Sequence, residues 1–440
     1  MTRRHHGYAL LATILCLIVA AAAGIHADRS DDGTAVRRTA AGPRPSHRPA
    51  APASTATWVG SWAASPAAAE PGTETAGLTD RTVRNVVHTS VGGTSARITL
   101  SNLYGRGPLT VAHATLALAA GDGPAAVPGT LRRLTFDGDG EVVVPPGQQV
   151  TSDPVRIAVP ADADVLVTTY SPAEPGPVTV HPHARQVSYA ARGDRAGDES
   201  GTPFTGRTGS WRYLTALDVL SAEAAGTLVA FGDSLTDGIT STVGANRRWP
   251  DVLARRLADA GPDAPRYGVV NHGISGNRVL TDGLGRPADN PSGLNRFARD
   301  VLGGANVEVV VIALGVNDIL RTPSVTDPEP ILDGLRELVD RAHARGIRAV
   351  GATLMPFHGH RGYTDAREAV RQRVNAEIRA GRVFDAVADF DEAVRDPYDP
   401  RRLLPRYDSG DHLHPSDAGY AAMAAAVEAG SLEGATSARL

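Results

Sequence analysis

The stretch TLVAFGDSLTDG (227–238) places Ser234 just past a short apolar run, and YDSGDHLHPSDAGY (407–420) sets Asp411 and His414 three residues apart. A serine hydroxyl becomes a nucleophile when a base takes its proton, an acid orients that base, and N–H donors await the oxyanion. A plainer use competes, because Asp and Ser oxygens cap helices by accepting orphan backbone N–H groups. A bent segment can fold Asp411 back onto His414, so one loop can carry base and orienter. The same loop also reads as a polar turn with Ser416 capping the last helix, or, with Asp408 and His412, as a set of hard-metal ligands. His412 competes as base, although its acid would stand directly beside it in sequence. In NHGISGN (271–277), Gly273 and Gly276 suit either close approach of a backbone N–H to a ligand or a simple turn. In GVND (315–318), Asn317 is either an amide donor or a helix cap. A G-x-S-x-G elbow is absent, because Thr236 stands where its second glycine would be.

These residues need elements to hold them. From Gly226 onward, TLVAF, YGVVN, VEVVVIAL, IRAVGATL and FDAVADF are apolar runs suited to strands buried on both faces. Helical patterns alternate with them, including WPDVLARRLADAG and EPILDGLRELVDRAHARG. In the second, Ile331, Leu332, Leu335, Leu338, Val339 and Ala342 share one face and Gly346 follows the end. TDAREAVRQRVNAEIRAG and SDAGYAAMAAAVEAG complete the set. The alternation predicts an α/β doubly wound parallel sheet with helices on both faces, over 226–440. Ligands of such sheets bind beyond the carboxyl ends of the strands, which is where Ser234 falls. The segments 280–300 and 357–364 read as loops.

Residues 58–225 have a different period. ARITLSNLY alternates Ala96, Ile98 and Leu100 with Arg97, Thr99 and Ser101, and LTVAHATLAL, EVVVPPG, VRIAVP, DVLVTTY and VTVHP follow between Gly, Pro and Asp clusters. This pattern predicts an all-β sandwich or jelly roll. Before it, residues 28–57 are rich in Pro, Ala, Ser, Thr and Arg and read as a disordered spacer. Residues 1–27 read as a signal peptide: Arg3 and Arg4 precede an apolar stretch, and Ile25, His26 and Ala27 fit a cleavage site. Secretion is the expectation, with an uncleaved membrane anchor as the alternative. Leu15 before Cys16 argues against a lipoprotein. Cys16 is the sole cysteine, so a processed chain would hold no disulfide or thiolate.

Composition narrows the chemistry further. The chain has 440 residues, 42% of them hydrophobic, and a net charge of −4, without the basic stripe of a nucleic-acid binder. All basic side chains are arginine, which excludes a Schiff-base or P-loop lysine.

With its blocks in order from Gly232 to Pro415, the chain resembles the SGNH (GDSL) hydrolase family. The GDSL block implies Ser234 as nucleophile. GISGN implies the Gly276 N–H as an oxyanion donor beside that of Ser234, and GVND implies the Asn317 amide in the same role. The D-x-x-H-P block implies His414 as base and Asp411 as its orienter. The longer stretches FGDSLTDGITSTVGANRRWPDVLARRL and YDSGDHLHPSDAGY are similar to secreted actinobacterial members, which carry a β-rich N-terminal domain. The resemblance implies a flavodoxin-like three-layer fold and ester hydrolysis through an acyl-enzyme, with no metal or organic cofactor. The expected substrate is an ester, with acetyl or other short acyl groups on polysaccharide first and a small ester or lipid as alternatives. Lipase, lysophospholipase or acyltransferase chemistry could use the same triad. A reading of another class is a polysaccharide- or cell-wall-binding protein working through residues 58–225. The chain is expected to act as a monomer.

Overall fold

The computed structural model describes residues 56–75, 77–173, 176–261, 264–283, 290–322 and 326–433. The signal and nearly all of the spacer expected over 1–57 lie outside the described residues. No helix among the described residues is long and apolar enough to cross a membrane.

The first part is built of antiparallel sheets. In one, the strands run Thr57–Ala63, Leu214–Ser221, Gly93–Ser101 and Val155–Val159, with Gln149–Thr151 also on Gly93–Ser101. In a second, the order is Gly206–Thr208, Ser188–Arg192, Arg81–His88, Asp164–Ser171, His113–Leu118 and Arg132–Arg133. Ala96, Ile98 and Leu100 of the first sheet share one core with Val87, Leu116, Val165 and Val167 of the second. The period-two pattern thus aims one side of each strand into a common interior. Thr99 and Ser101, expected outside, are buried as well, because Gln149–Thr151 pairs across them.

The second part is a five-stranded sheet, parallel throughout. Its order is Tyr267–Gly273, Gly226–Gly232, Val307–Ala313, Arg348–Ala352 and Ala386–Ala388, so the first of these in the chain lies second in space. Leu228, Val229, Ala230 and Phe231 are all buried, as strands inside a parallel sheet require. The helix Glu329–His343 buries each apolar residue predicted for its inner face, and Gly346 follows it at φ +71°. Chain direction diverges between Gly226–Gly232 and Val307–Ala313, the switch point at which such sheets form a crevice. Ser234 follows one of these strands and Asn317 the other. Part of 280–300 is more ordered than its mixed pattern suggests: Gly293–Phe297 is an α-helix and Ala298–Leu302 a π-helical turn. Phe297 and Val301 bury themselves in the main core, while Arg296 and Asp300 pair internally.

The two cores are tied together by polar bonds. Gly60 N–H donates to Thr227 Oγ at 2.8 Å, and Val269 N–H to Ser90 Oγ at 2.9 Å. A Cβ on Gly60 would come within 2.8 Å of Val270 Cγ1, so glycine permits this approach. Further along, Ser65 donates to Asp300 at 2.7 Å, and Arg296 donates both to Asp300 and to the Gly232 carbonyl at 2.8 Å. Both cores belong to one compact unit.

Candidate active site

Ser234 opens a single helical turn, Ser234–Asp237, at the end of the strand Gly226–Gly232. The cap is Asp233, whose carboxylate accepts Leu235 N–H at 3.0 Å, so the Ser234 hydroxyl is left for other uses. As the first residue of its helix, Ser234 also has an N–H with no intrahelical acceptor. The turn is tight: a Cβ on Gly232 would lie 2.0 Å from Thr236 Oγ1. Thr236, which breaks the elbow pattern, is buried under the turn and accepts the Trp249 indole N–H at 3.3 Å.

The base loop lies between the 3₁₀ turn Pro405–Tyr407 and the helix Asp417–Ala425, which Ser416 caps through Gly419 N–H. Asp411 folds back as its spacing suggested. One carboxylate oxygen accepts the N–H groups of Leu413 and His414 at 3.0 and 2.8 Å, and the other accepts His414 Nδ1–H at 2.6 Å. Burial pushes the Asp411 carboxyl up, yet these bonds outweigh it and hold it below the usual carboxylate range. A carboxylate only accepts, so Nδ1 carries the hydrogen and Nε2 presents a lone pair. That nitrogen lies 2.9 Å from Ser234 Oγ. His412 points elsewhere and pairs with Asp408 at 2.6 Å. Among the described residues no three His, Cys, Asp or Glu side chains converge as metal ligands would.

Gly276 sits in the left-handed region at φ +79°, in the loop after the strand Tyr267–Gly273. Asn317 lies on the helix Val316–Arg321, where Arg321 Nε–H donates to its Oδ1 at 3.2 Å. Its Nδ2 donates to Asp233 Oδ2 at 3.2 Å. These two bonds settle which end of the amide is the donor. Burial pushes the Asp233 carboxyl up to about 7, with the nearby Asp318 charge adding to it against bonds from Leu235 and Asn317. Asp318 in turn accepts Val279 and Leu280 N–H at 2.8 and 3.1 Å and so clamps the segment just beyond Gly276.

Ser234, Gly276, Asn317 and His414 line one cleft of about 710 Å³, within the range of small-ligand sites. His360, Arg361 and Gly362, from a segment read as a loop of unknown placement, line it too. So do Ala67, Ala68, Pro71, Val180, His181 and His183 of the β-rich part. The sequence reading missed these last residues together with Asp233, Asp237, Ser275 and Asp318. The acidic ones stand beside motif residues and were visible as such. His181, in VTVHP, carries no local mark.

A hydroxyl facing an imidazole that a carboxylate holds, at the carboxyl edge of a parallel sheet, can attack a carbonyl carbon as its proton leaves. The family of GDSL-like lipases and acylhydrolases matches residues 230–422. That region of the chain belongs to the family, and the protein is a carboxylic ester hydrolase. No curated protein matches the chain. Among solved structures, a member of the lipolytic G-D-S-L family from Veillonella parvula is similar at 18% identity over 46% of this chain and 94% of its own, with a TM-score of 0.32. A carbohydrate acetylesterase from Sinorhizobium meliloti is similar at 18% identity over 46% and 95%, with a TM-score of 0.36. The aryl esterase of M. smegmatis is similar at 18% identity over 46% and 96%, with a TM-score of 0.37.

Proposed function

We propose that the protein hydrolyses short-chain acyl esters through an acyl-enzyme on Ser234, with His414 as general base and Asp411 as its orienter. The observation that carries this reading is the relay in which Ser234 Oγ lies 2.9 Å from His414 Nε2 while Nδ1 of the same ring donates to Asp411 at 2.6 Å. His414 takes the hydroxyl proton as Ser234 attacks the ester carbonyl. The N–H groups of Ser234 and Gly276 and the Asn317 amide stabilise the oxyanion. His414 then gives its proton to the leaving alcohol, and water repeats the sequence to free the acid.

The alcohol side is a carbohydrate or another hydrated group in this reading. His183, Arg321, His360 and Arg361 around the cleft offer polar contacts for such a group, beside apolar lining from Ile239, Ile274, Leu320 and Leu413 that suits the acyl side. The positive start and apolar stretch of residues 1–27 support a site of action outside the cell. The test is Ser234→Ala assayed on 4-nitrophenyl acetate and on acetylated xylan. Loss of both activities with an unchanged thermal melt is expected, and wild-type turnover would refute the assignment.

A further inference from the structure

We propose that His181, delivered by the strand Thr179–His181 of the β-rich part, is a positioning residue for the esterase site. It fixes Asp237 and, through it, the Ser275–Gly276 backbone. This rests on the role given above to Ser234 and Gly276.

Asp237 closes the nucleophile turn and is buried. Its Oδ2 accepts both Ser275 N–H at 3.1 Å and Ser275 Oγ–H at 2.6 Å. Ser275 immediately precedes Gly276, so this carboxylate sets where the Gly276 N–H lies relative to Ser234. A separate bond, Asn271 Nδ2–H to the Thr236 carbonyl at 2.7 Å, holds the root of the same loop, and Asp237 holds its tip.

The other oxygen of Asp237 faces His181 Nε2 at 3.2 Å, across 56 residues of chain. Nδ1 of that ring lies 2.7 Å from the Ser65 carbonyl. Both partners only accept, so the two bonds form together when each ring nitrogen carries a hydrogen, and the ring is then held from both sides. His181 is 4% exposed and packs against the Trp211 ring at 5.5 Å between centroids. It therefore has little freedom to swing away. A surface module tethered to a hydrolase has no need of such a residue. Here the β-rich part lines the catalytic cleft and grips a carboxylate within one turn of the nucleophile.

The experiment uses the full chain as wild type, His181→Ala, His181→Gln, Ser275→Ala and Ser234→Ala. For each, kcat and KM are measured on 4-nitrophenyl acetate, and active sites are counted by complete labelling with a fluorophosphonate. Displacing a catalytic group by about 1 Å can cost about 10²-fold, so His181→Ala should lower kcat per labelled serine by about 10–100-fold with KM changed less than about threefold. His181→Gln, whose amide can still donate to Asp237, should recover most of that loss. Ser275→Ala, which needs no repacking of the β-rich part, should lower kcat several-fold on its own. Wild-type turnover per labelled serine in either alanine variant would overturn the proposal. So would a loss confined to the number of labelled serines, or one equal in His181→Ala and His181→Gln. Activity in Ser234→Ala would instead overturn the underlying assignment of the nucleophile.

Discussion

Asn317 donates its amide to Asp233 at 3.2 Å, and this bond joins the two strand ends that flank the switch point of the sheet. Asp233 thereby serves both neighbours, capping the turn that carries Ser234 and aiming the amide of Asn317. Removing one oxyanion donor typically costs about 10²–10³ in kcat, so Asn317→Ala should lower kcat by that factor with little change in KM. A steady-state comparison on 4-nitrophenyl acetate checks it, and an unchanged kcat would take Asn317 out of the reaction.

Asp411 keeps His414 in the tautomer that presents a lone pair to Ser234. Asp411→Asn would turn an acceptor into a donor beside Nδ1 and favour the wrong tautomer. A loss of about 10³–10⁴ in kcat is expected, by the same logic as in serine-protease triads. His412→Ala, whose ring pairs with Asp408 and not with Ser234, should stay within about threefold of wild type. A larger effect of the second variant than of the first would reverse the roles given to the two histidines.

Asp233 gives stability a pH dependence of defined sign. Burial pushes its carboxyl up to about 7, and that of Asp318 up to about 6. An unfolded aspartate loses its proton near pH ~3.9. Between that pH and about 7, the folded state binds more protons at Asp233 than the unfolded one, so stability falls as pH rises. Asparagine keeps the cap through its Oδ1 but sets an amide N–H against the Asn317 donor, a cost that does not change with pH. As pH rises from ~4 to ~8, the stability of Asp233→Asn should therefore rise relative to that of wild type. Urea unfolding across that range would show the two curves diverging; parallel curves would contradict the shift.

Arg296 is fully buried and donates to Asp300, Asn277, Ser65 and the carbonyls of His272 and Gly232. Asp300 would keep Arg299 and Ser65 as partners, but the other buried acceptors that Arg296 serves would lose their donor, at about 1–3 kcal/mol for each left unpaired. Arg296→Met should destabilise the chain by at least that amount in denaturant unfolding. A loss below about 1 kcal/mol would mean that these acceptors are solvated after all.

Gly273 touches the turn that carries Ser234. A Cβ there would meet Asp237 N at 2.1 Å and its Cα at 2.7 Å, backbone against backbone. Overpacking of this kind usually costs about 1–3 kcal/mol when neighbours can shift, and here no flexible side chain can yield. Gly273→Ala should lower the melting temperature and the active-site count together, as read by calorimetry and phosphonate labelling.

Much of the parallel sheet was legible because its strands are continuous apolar runs and its helices repeat with a helical period. Both are local properties of a chain. The candidate groups were legible for the same reason, since Ser234, Gly276 and Asn317 each follow a strand directly and Asp411 and His414 share one loop. What the Ser234 hydroxyl faces was not local. It depended on Asp233 taking the cap and on His414 arriving from 180 residues away. The segment Gly293–Leu302 was missed although Leu294, Phe297 and Val301 recur at helical spacing, because the run is short and follows a stretch rich in Gly and Pro; the buried Arg296–Asp300 pair completes it. The sequence by itself determined the element types and the chemical inventory, because period and residue type are written along the chain. Tertiary structure alone decided that His181 of the β-rich part reaches Asp237, because only packing of the two cores brings those side chains within a hydrogen bond of each other.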